Sequence, residues 1–344
     1  MRILLGMSGG LDSTCAAKIL ISEGHSVEGA VLVMHDYTES WEAKAAADSL
    51  GIVLHTVDGR ERFRSVVQKY FVDEYMQGRT PNPCVICNRE VKLSLLYEYA
   101  MQNGFDAIAT GHYASVVERN GRYAIAFAED RSKDQSYVLW ALPQNILSHL
   151  IFPLAGYEKT KLRATAREEK LSVADRPESQ EICFIPDGDY ARFICEYSGV
   201  TPKEGDFVDE NGAVLGRHKG IIHYTVGQRK GLGIALGKRM FVTAISAEKN
   251  TVTLSENPNV TVSDFLVEDM VFSGMEEPAV GTVVEAAARV RYLAPLRPAG
   301  ITYLGEGRAR VHLSEPARAV TPGQSAVFYD AVSVLAGGII SSLY

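Results

Sequence analysis

No apolar run in this 344-residue chain approaches the roughly 18 residues needed to cross a membrane. Its opening, MRILLGMSGGLDSTCAAKILI, is interrupted by Ser8, Gly9, Gly10 and Asp12 too early for a secretory leader. A soluble, cytoplasmic protein is expected. A basic excess is also missing: 35 Lys and Arg against 42 Asp and Glu give a net charge of −7. That excludes indiscriminate polyanion binding but leaves room for a local basic patch on RNA. Cysteine is scarce and odd in number, five in all, which is no secreted disulfide framework. Each thiol is therefore core filler, metal ligand or reactive group. No low-complexity linker and no internal repeat breaks up the chain.

What is present is a 46% apolar composition, enough for real cores, and length for two or three domains. RILLGM, VEGAVLVMHD and IVLHTVD read as strands; DSTCAAKILISEG and ESWEAKAAADSLG read as helices ending at glycine. FDAIATGHYA adds a buried strand. This alternation predicts an α/β domain with a doubly wound parallel sheet, binding ligands beyond the carboxyl ends of its strands. Beyond about residue 198 the pattern becomes short alternating runs between Gly, Pro and Asn turns, as in MFVTAISAEKNTVTLSE and GTVVEAAARVRYLAP. The expected division is 1–197 for the catalytic sheet domain, 198–264 for a small central β-rich domain and 265–344 for a C-terminal β-barrel-like domain.

GMSGGLDST falls where the first strand passes to the first helix, where backbone N–H groups and the helix dipole converge on an anion. The loop lacks both the Gly-Lys-Ser/Thr ending of a Walker sequence and the G-x-G-x-x-G of a dinucleotide fold. Ser8 and Ser13 can donate to phosphate, and Asp12 can hold Mg2+ against charge developing on pyrophosphate. Ser-Gly-Gly-x-Asp-Ser resembles the signature of the PP-loop ATP pyrophosphatases, which cleave ATP between the α and β phosphates. Gly6, Met7, Ser8, Gly9, Gly10, Leu11, Asp12 and Ser13 are the expected ATP loop.

Cys84 and Cys87 form a C-x-x-C in GRTPNPCVICNRE, a spacing shared by zinc ribbons, redox sites and chance. No second pair completes a zinc site, because Cys183 and Cys195 are far downstream and twelve apart. Cys15 and Cys195, in apolar helical surroundings, read as packing thiols. GMSGGLDS, GRTPNPCVICNREVK, IATGHYA, KDQSYVLWAL, SQEICFI, HYTVGQRKGLGI, RVRYLAP and PGQSAVFYD occur in the order found in the tRNA-specific 2-thiouridylase family, and the resemblance covers essentially the whole chain.

The resemblance implies sulfur insertion at carbon 2 of the wobble uridine, position 34 of tRNA. ATP first adenylates the uracil oxygen, a cysteine persulfide delivers sulfur, and AMP leaves. It assigns the persulfide to Cys183 and the partner thiol to Cys87. Esterifying the carbonyl oxygen makes it a leaving group, and a second thiolate can release the sulfur by forming a disulfide. The family commonly has aspartate where this chain has Cys84. Three thiols, Cys84, Cys87 and Cys183, leave open an iron–sulfur route through a [4Fe-4S] cluster with an open iron. The stretch MHDYTESWEAKAAADSLG is shorter than the acidic insertion usual in the family. By family match Met34 and Gly111 line the adenosine pocket. Asn82, Pro83, Cys84, His112, Lys133, Asp134, Gln135, Arg229, Arg291, Tyr292 and Gln324 face tRNA. The implied partners are tRNA and a sulfur donor, either a cysteine desulfurase or a sulfur relay, with the chain itself a monomer. Another PP-loop ligase would share Asp12 and Gly9 but would not need Cys183 with Cys87.

Overall fold

The computed structural model describes residues 1–38, 40–168, 174, 182–257, 261–318 and 320–343. Strand β1 (Arg2–Gly6), helix α1 (Leu11–Ser22), β2 (Ser26–Val33), α2 (Ser40–Leu50) and β3 (Leu54–Asp58) follow one another as the hydrophobic periodicity predicts. An antiparallel pair of helical runs comes next. The first joins α3 (Arg60–Arg62) to α4 (Lys69–Met76) through a π-helical stretch at Phe63–Gln68. The second joins α5 (Pro83–Ile86) to α6 (Leu93–Gln102) through a π-helical stretch at Cys87–Lys92. Then come β4 (Ala107–Thr110), the hairpin of β5 (Ser115–Arg119) and β6 (Arg122–Ala126), α7 (Gln144–Leu147), β7 (Leu150–Ile151), α8 (Lys159–Glu168) and α9 (Tyr190–Ser198).

The main sheet is parallel, in the order β3-β2-β1-β4-β7. Side chains alternate across β1: Ile3 and Leu5 join one core, Leu4 the core on the opposite face. Strand order reverses direction between β1 and β4, so their carboxyl ends open the crevice where such sheets bind ligands.

A four-stranded sheet in the order β10-β11-β8-β9 follows, made of β8 (Gly205–Val208), β9 (Val214–His218), β10 (Phe241–Ser246) and β11 (Thr251–Ser255). The chain ends in a closed six-stranded antiparallel barrel, β12-β15-β14-β13-β16-β17. Its strands are β12 (Thr261–Val271), β13 (Val283–Arg289), β14 (Arg297–Gly305), β15 (Arg308–Arg318), β16 (Ser325–Tyr329) and β17 (Val334–Leu343). Closure removes the exposed sheet edges that would otherwise pair with other chains.

The barrel is joined to the sheet domain by a common core. Tyr137, Trp140, Val327, Tyr329, Val334 and Ile339 belong to one apolar cluster with Leu4 and Ile108. The Tyr137 hydroxyl donates to the Ser325 carbonyl at 2.8 Å and the Trp140 indole N–H to Ser325 Oγ at 3.0 Å. A Cβ on Gly337 would meet the Trp140 ring at 2.5 Å, so glycine is what lets the indole lie flat on β17. Losing an aromatic anchor of this kind costs about 3–5 kcal/mol.

Candidate active site

Gly10 occupies the cap position of α1 and supplies no side chain to its amides, so the helix begins with N–H groups directed at the crevice. Gly9 has φ +76°, and a Cβ there would lie 2.4 Å from the Glu42 carbonyl carbon, so the loop passes hard against α2. Ser13 Oγ accepts from the Ser8 N–H at 3.3 Å and lies 3.4 Å from Ser8 Oγ, holding both hydroxyls at the loop mouth. Gly111, after β4, packs on the start of α1; a Cβ would stand 2.8 Å from Asp12 C and Ser13 N.

The resulting cleft has a volume of about 470 Å³. Gly6, Met7, Ser8, Asp12, Ser13, Met34 and Gly111 line it, together with His112 and Gln135. Gly9, Gly10 and Leu11 shape the loop from behind; Leu11 is buried in the core with Cys15. The sequence reading did not single out His35, Lys92 and Lys159. His35 and Lys92 also line the cleft. His35 lies between Tyr37 and Phe63, its Nδ1 is buried without a hydrogen-bond partner, and burial lowers its pKa. The His35 and Met34 amides share Thr38 Oγ1 at 3.3 Å, a compact turn at the end of β2.

Asp12 is held from both sides. Its Oδ2 pairs with Lys159 at 2.9 Å and its Oδ1 accepts from the Tyr113 hydroxyl at 3.2 Å. Asp12 and Glu42 both border the cleft, a donor set that fits Mg2+, which binds through one or two carboxylates plus substrate phosphates. Lys159 must yield an Asp12 oxygen for that.

The thiols lie beside the Lys92 side of the cleft wall, and Lys92 influences all three. Asn82 caps α5 by accepting from the Cys84 N–H at 3.2 Å, and Pro83 takes the first helical position. Cys84 and Cys183 are exposed and Cys87 is buried; none of the five cysteines is in a disulfide. Cys87 Sγ lies 3.9 Å from Met34 Sδ, linking the thiol to the cleft wall. Burial pushes the Cys87 thiol up to about 12, and the Lys92 cation opposes this. Cys84 and Cys183 are raised for the same reason, again with Lys92 opposing: though exposed, both thiols are crowded by protein. His112 is held neutral, its pKa lowered to about 3 by burial and then by Lys92, with Nδ1 2.8 Å from Thr110 Oγ1.

Among the described residues, no group of three or more His, Cys, Asp and Glu side chains is arranged to hold a metal ion. The three thiols therefore do not fit a cluster site as they stand. Ser179, Gln180 and Glu181 of SQEICFI lie outside the described residues.

Three residues expected on the tRNA face, Asp134, Gln324 and Pro83, are buried. Asp134 is 2% exposed; it accepts from the Ala128 N–H at 3.1 Å and the Ser136 hydroxyl at 2.6 Å, and Arg289 of the barrel lies 3.4 Å away. Gln324 is 7% exposed and donates to the Thr80 carbonyl at 2.8 Å, bracing the approach to Cys84. Gln135 faces the cleft while its Oε1 accepts from the Tyr113 N–H at 2.9 Å. Lys133 is half-buried in the same turn. Tyr292 is exposed, its ring 6.1 Å from Tyr137, and Arg291 is half-exposed beside it. Arg229 is exposed in a separate recess, with Lys238 and Arg239, and does not border the nucleotide cleft.

An uncapped α1 behind Ser-Gly-Gly-x-Asp-Ser at the switch point of a parallel sheet defines a PP-loop nucleotide-binding domain. Family models described as the tRNA methyl transferase HUP domain, the tRNA methyl transferase PRC-barrel domain and the aminomethyltransferase beta-barrel domain match residues 1–187, 191–256 and 262–340. The tRNA-specific 2-thiouridylase MnmA of Carboxydothermus hydrogenoformans is 42% identical, covering 98% of this chain and 97% of the relative. That of Acetivibrio thermocellus is 43% identical, covering 98% and 99%. The chain belongs to the tRNA-specific 2-thiouridylase family.

Proposed function

We propose that this protein is an ATP-dependent sulfurtransferase that adenylates and 2-thiolates the wobble uridine of tRNA. The observation that carries the reading is the join between nucleotide cleft and thiols: Met34 and Lys92 line the cleft, and Cys87 touches Met34 at 3.9 Å. ATP lies with its phosphates on the α1 amides, Ser8 and Ser13, and its adenosine toward Met34, His35 and Gly111. Asp12 and Glu42 would hold Mg2+, which neutralises charge on the departing pyrophosphate. The uracil O2 attacks the α phosphorus, pyrophosphate leaves, and the base carries AMP.

Terminal persulfide sulfur on Cys183 then attacks C2. The Cys87 thiolate attacks Cys183 Sγ, the persulfide bond breaks, sulfur stays on the base, AMP departs and a Cys87–Cys183 disulfide remains. Loading Cys183 requires a desulfurase or a sulfur relay. Neutral His112 offers a ring N–H to the base or a phosphate, while Lys133, Gln135, Arg229, Arg291 and Tyr292 supply RNA contacts. In this scheme residues 1–197, 198–264 and 265–344 are the working units, the barrel's first strand beginning slightly earlier, at Thr261.

The test is stepwise. Asp12→Ala is expected to abolish tRNA-dependent pyrophosphate release, whereas Cys183→Ser retains that release and forms no 2-thiouridine. Thiolation by Cys183→Ser would sink the persulfide assignment; iron at one cluster per chain, with activity depending on it, would favour the cluster route.

A further inference from the structure

The mechanism just proposed uses two thiols, yet a third stands beside them. Cys84 and Cys87 are three apart at the start of a helical run from Pro83 to Gln102, a spacing that puts both on one face. The first is exposed and the second buried, so the pair offers an outer and an inner sulfur. Phe184, the neighbour of Cys183, packs in the same apolar cluster as Cys87, which brings the third thiol to that face. The charges of the three are coupled: ionised Cys84 and Cys183 both disfavour the Cys87 thiolate, and ionised Cys84 disfavours that of Cys183.

Sulfur transfer leaves the inner thiol tied to Cys183, and the protein cannot accept another sulfur until Cys183 is freed. We propose that Cys84 is a resolving thiol that moves this disulfide onto the C-x-x-C pair. The Cys84 thiolate attacks Cys87 Sγ; the Cys84–Cys87 bond forms, the Cys87–Cys183 bond breaks, and Cys183 leaves as a thiolate. No electrons are gained or lost in the exchange. Cys183 is the better leaving group because it sits at an exposed position, where its thiolate is penalised less than that of the buried Cys87. An external dithiol then attacks the accessible Cys84 sulfur and is oxidised to its own disulfide, returning two thiols. The inference rests on the sulfur-transfer reading above.

The experiment loads the full-length chain with one sulfur from a cysteine desulfurase and L-cysteine, removes small thiols, and adds ATP, Mg2+ and tRNA. It is then quenched in acid, alkylated and mapped by mass spectrometry. The expected result is 2-thiouridine together with a Cys84–Cys87 disulfide and alkylated Cys183; in Cys84→Ser the disulfide stays at Cys87–Cys183. 2-Thiouridine with a persistent Cys87–Cys183 disulfide in the unmodified chain overturns the relay while sparing the sulfur-transfer reading. Absence of both 2-thiouridine and any disulfide overturns both.

Discussion

Replacing Asp134 by alanine separates a structural role from RNA contact. Its carboxylate is buried beside Arg289 and satisfies Ala128 and Ser136, so its removal strands a cation between sheet domain and barrel. Breaking such a pair costs about 3–5 kcal/mol. Chemical denaturation of Asp134→Ala should show a loss of that order; a variant of unchanged stability with weakened tRNA binding would restore the residue to the RNA face. Gly9→Ala should destabilise the fold by roughly 1 kcal/mol or more and weaken ATP binding, measured by calorimetry, because φ +76° and the Glu42 backbone both resist a Cβ. Unchanged ATP affinity would show that the loop can shift. Gly9 and Asp12 were legible because motif residues adjoin in sequence. Lys159 was not, because its partner Asp12 lies 147 positions away and nothing local marks the pairing. His35 was missed because a lone histidine at a strand end carries no spacing signal.

At the scale of elements, β1 to β4 with α1 and α2 were readable from their periodicity, but β7, α8 and the helical runs at 60–76 and 83–102 were not. Buried Val85, Asn88 and Val91 keep a helical interval, then Leu93 follows Val91 by two as the π-helical turn ends. A π turn inserts a residue and breaks the 3.6-residue pattern. The insertion falls where Cys87 begins and Lys92 ends the turn, so the local irregularity sets the thiol relative to the cleft. Upstream, Gln324 fixes Thr80 and Asn82 caps α5. Gln324→Leu should therefore leave the barrel folded while speeding amide exchange at Cys84 and Val85 and slowing sulfur transfer. Protection equal to that of the unmodified chain would remove Gln324 from this bracing role.

For the whole molecule, acid is the revealing stress. His35, His112, His218 and His223, four of the eight histidines, have pKa values lowered chiefly by burial, that of His112 to about 3. Below the ordinary histidine pKa near 6.5 the unfolded chain takes up protons that the folded chain refuses. Their contribution to stability is thus complete above that pH and is lost progressively as the pH falls toward 3. Glu74, raised by burial, acts in the opposite sense from about its ordinary 4.5 upward, one group against four. Melting temperatures should be level from pH 8 to about 6.5 and drop on further acidification; a flat profile to pH 5 would mean these rings protonate without opening the fold.

The indole of Trp140 lying against Gly337 has a further consequence. The shared core ties sheet domain and barrel together, so packing sets the distance from the exposed Tyr292 on the barrel side to the thiols. On the proposed reading the enzyme works as a gauge: an RNA that rests on Arg291 and Tyr292 meets the sulfur only if its loop has the right reach, and a uridine elsewhere in the same RNA is rejected by length before its chemistry is tested.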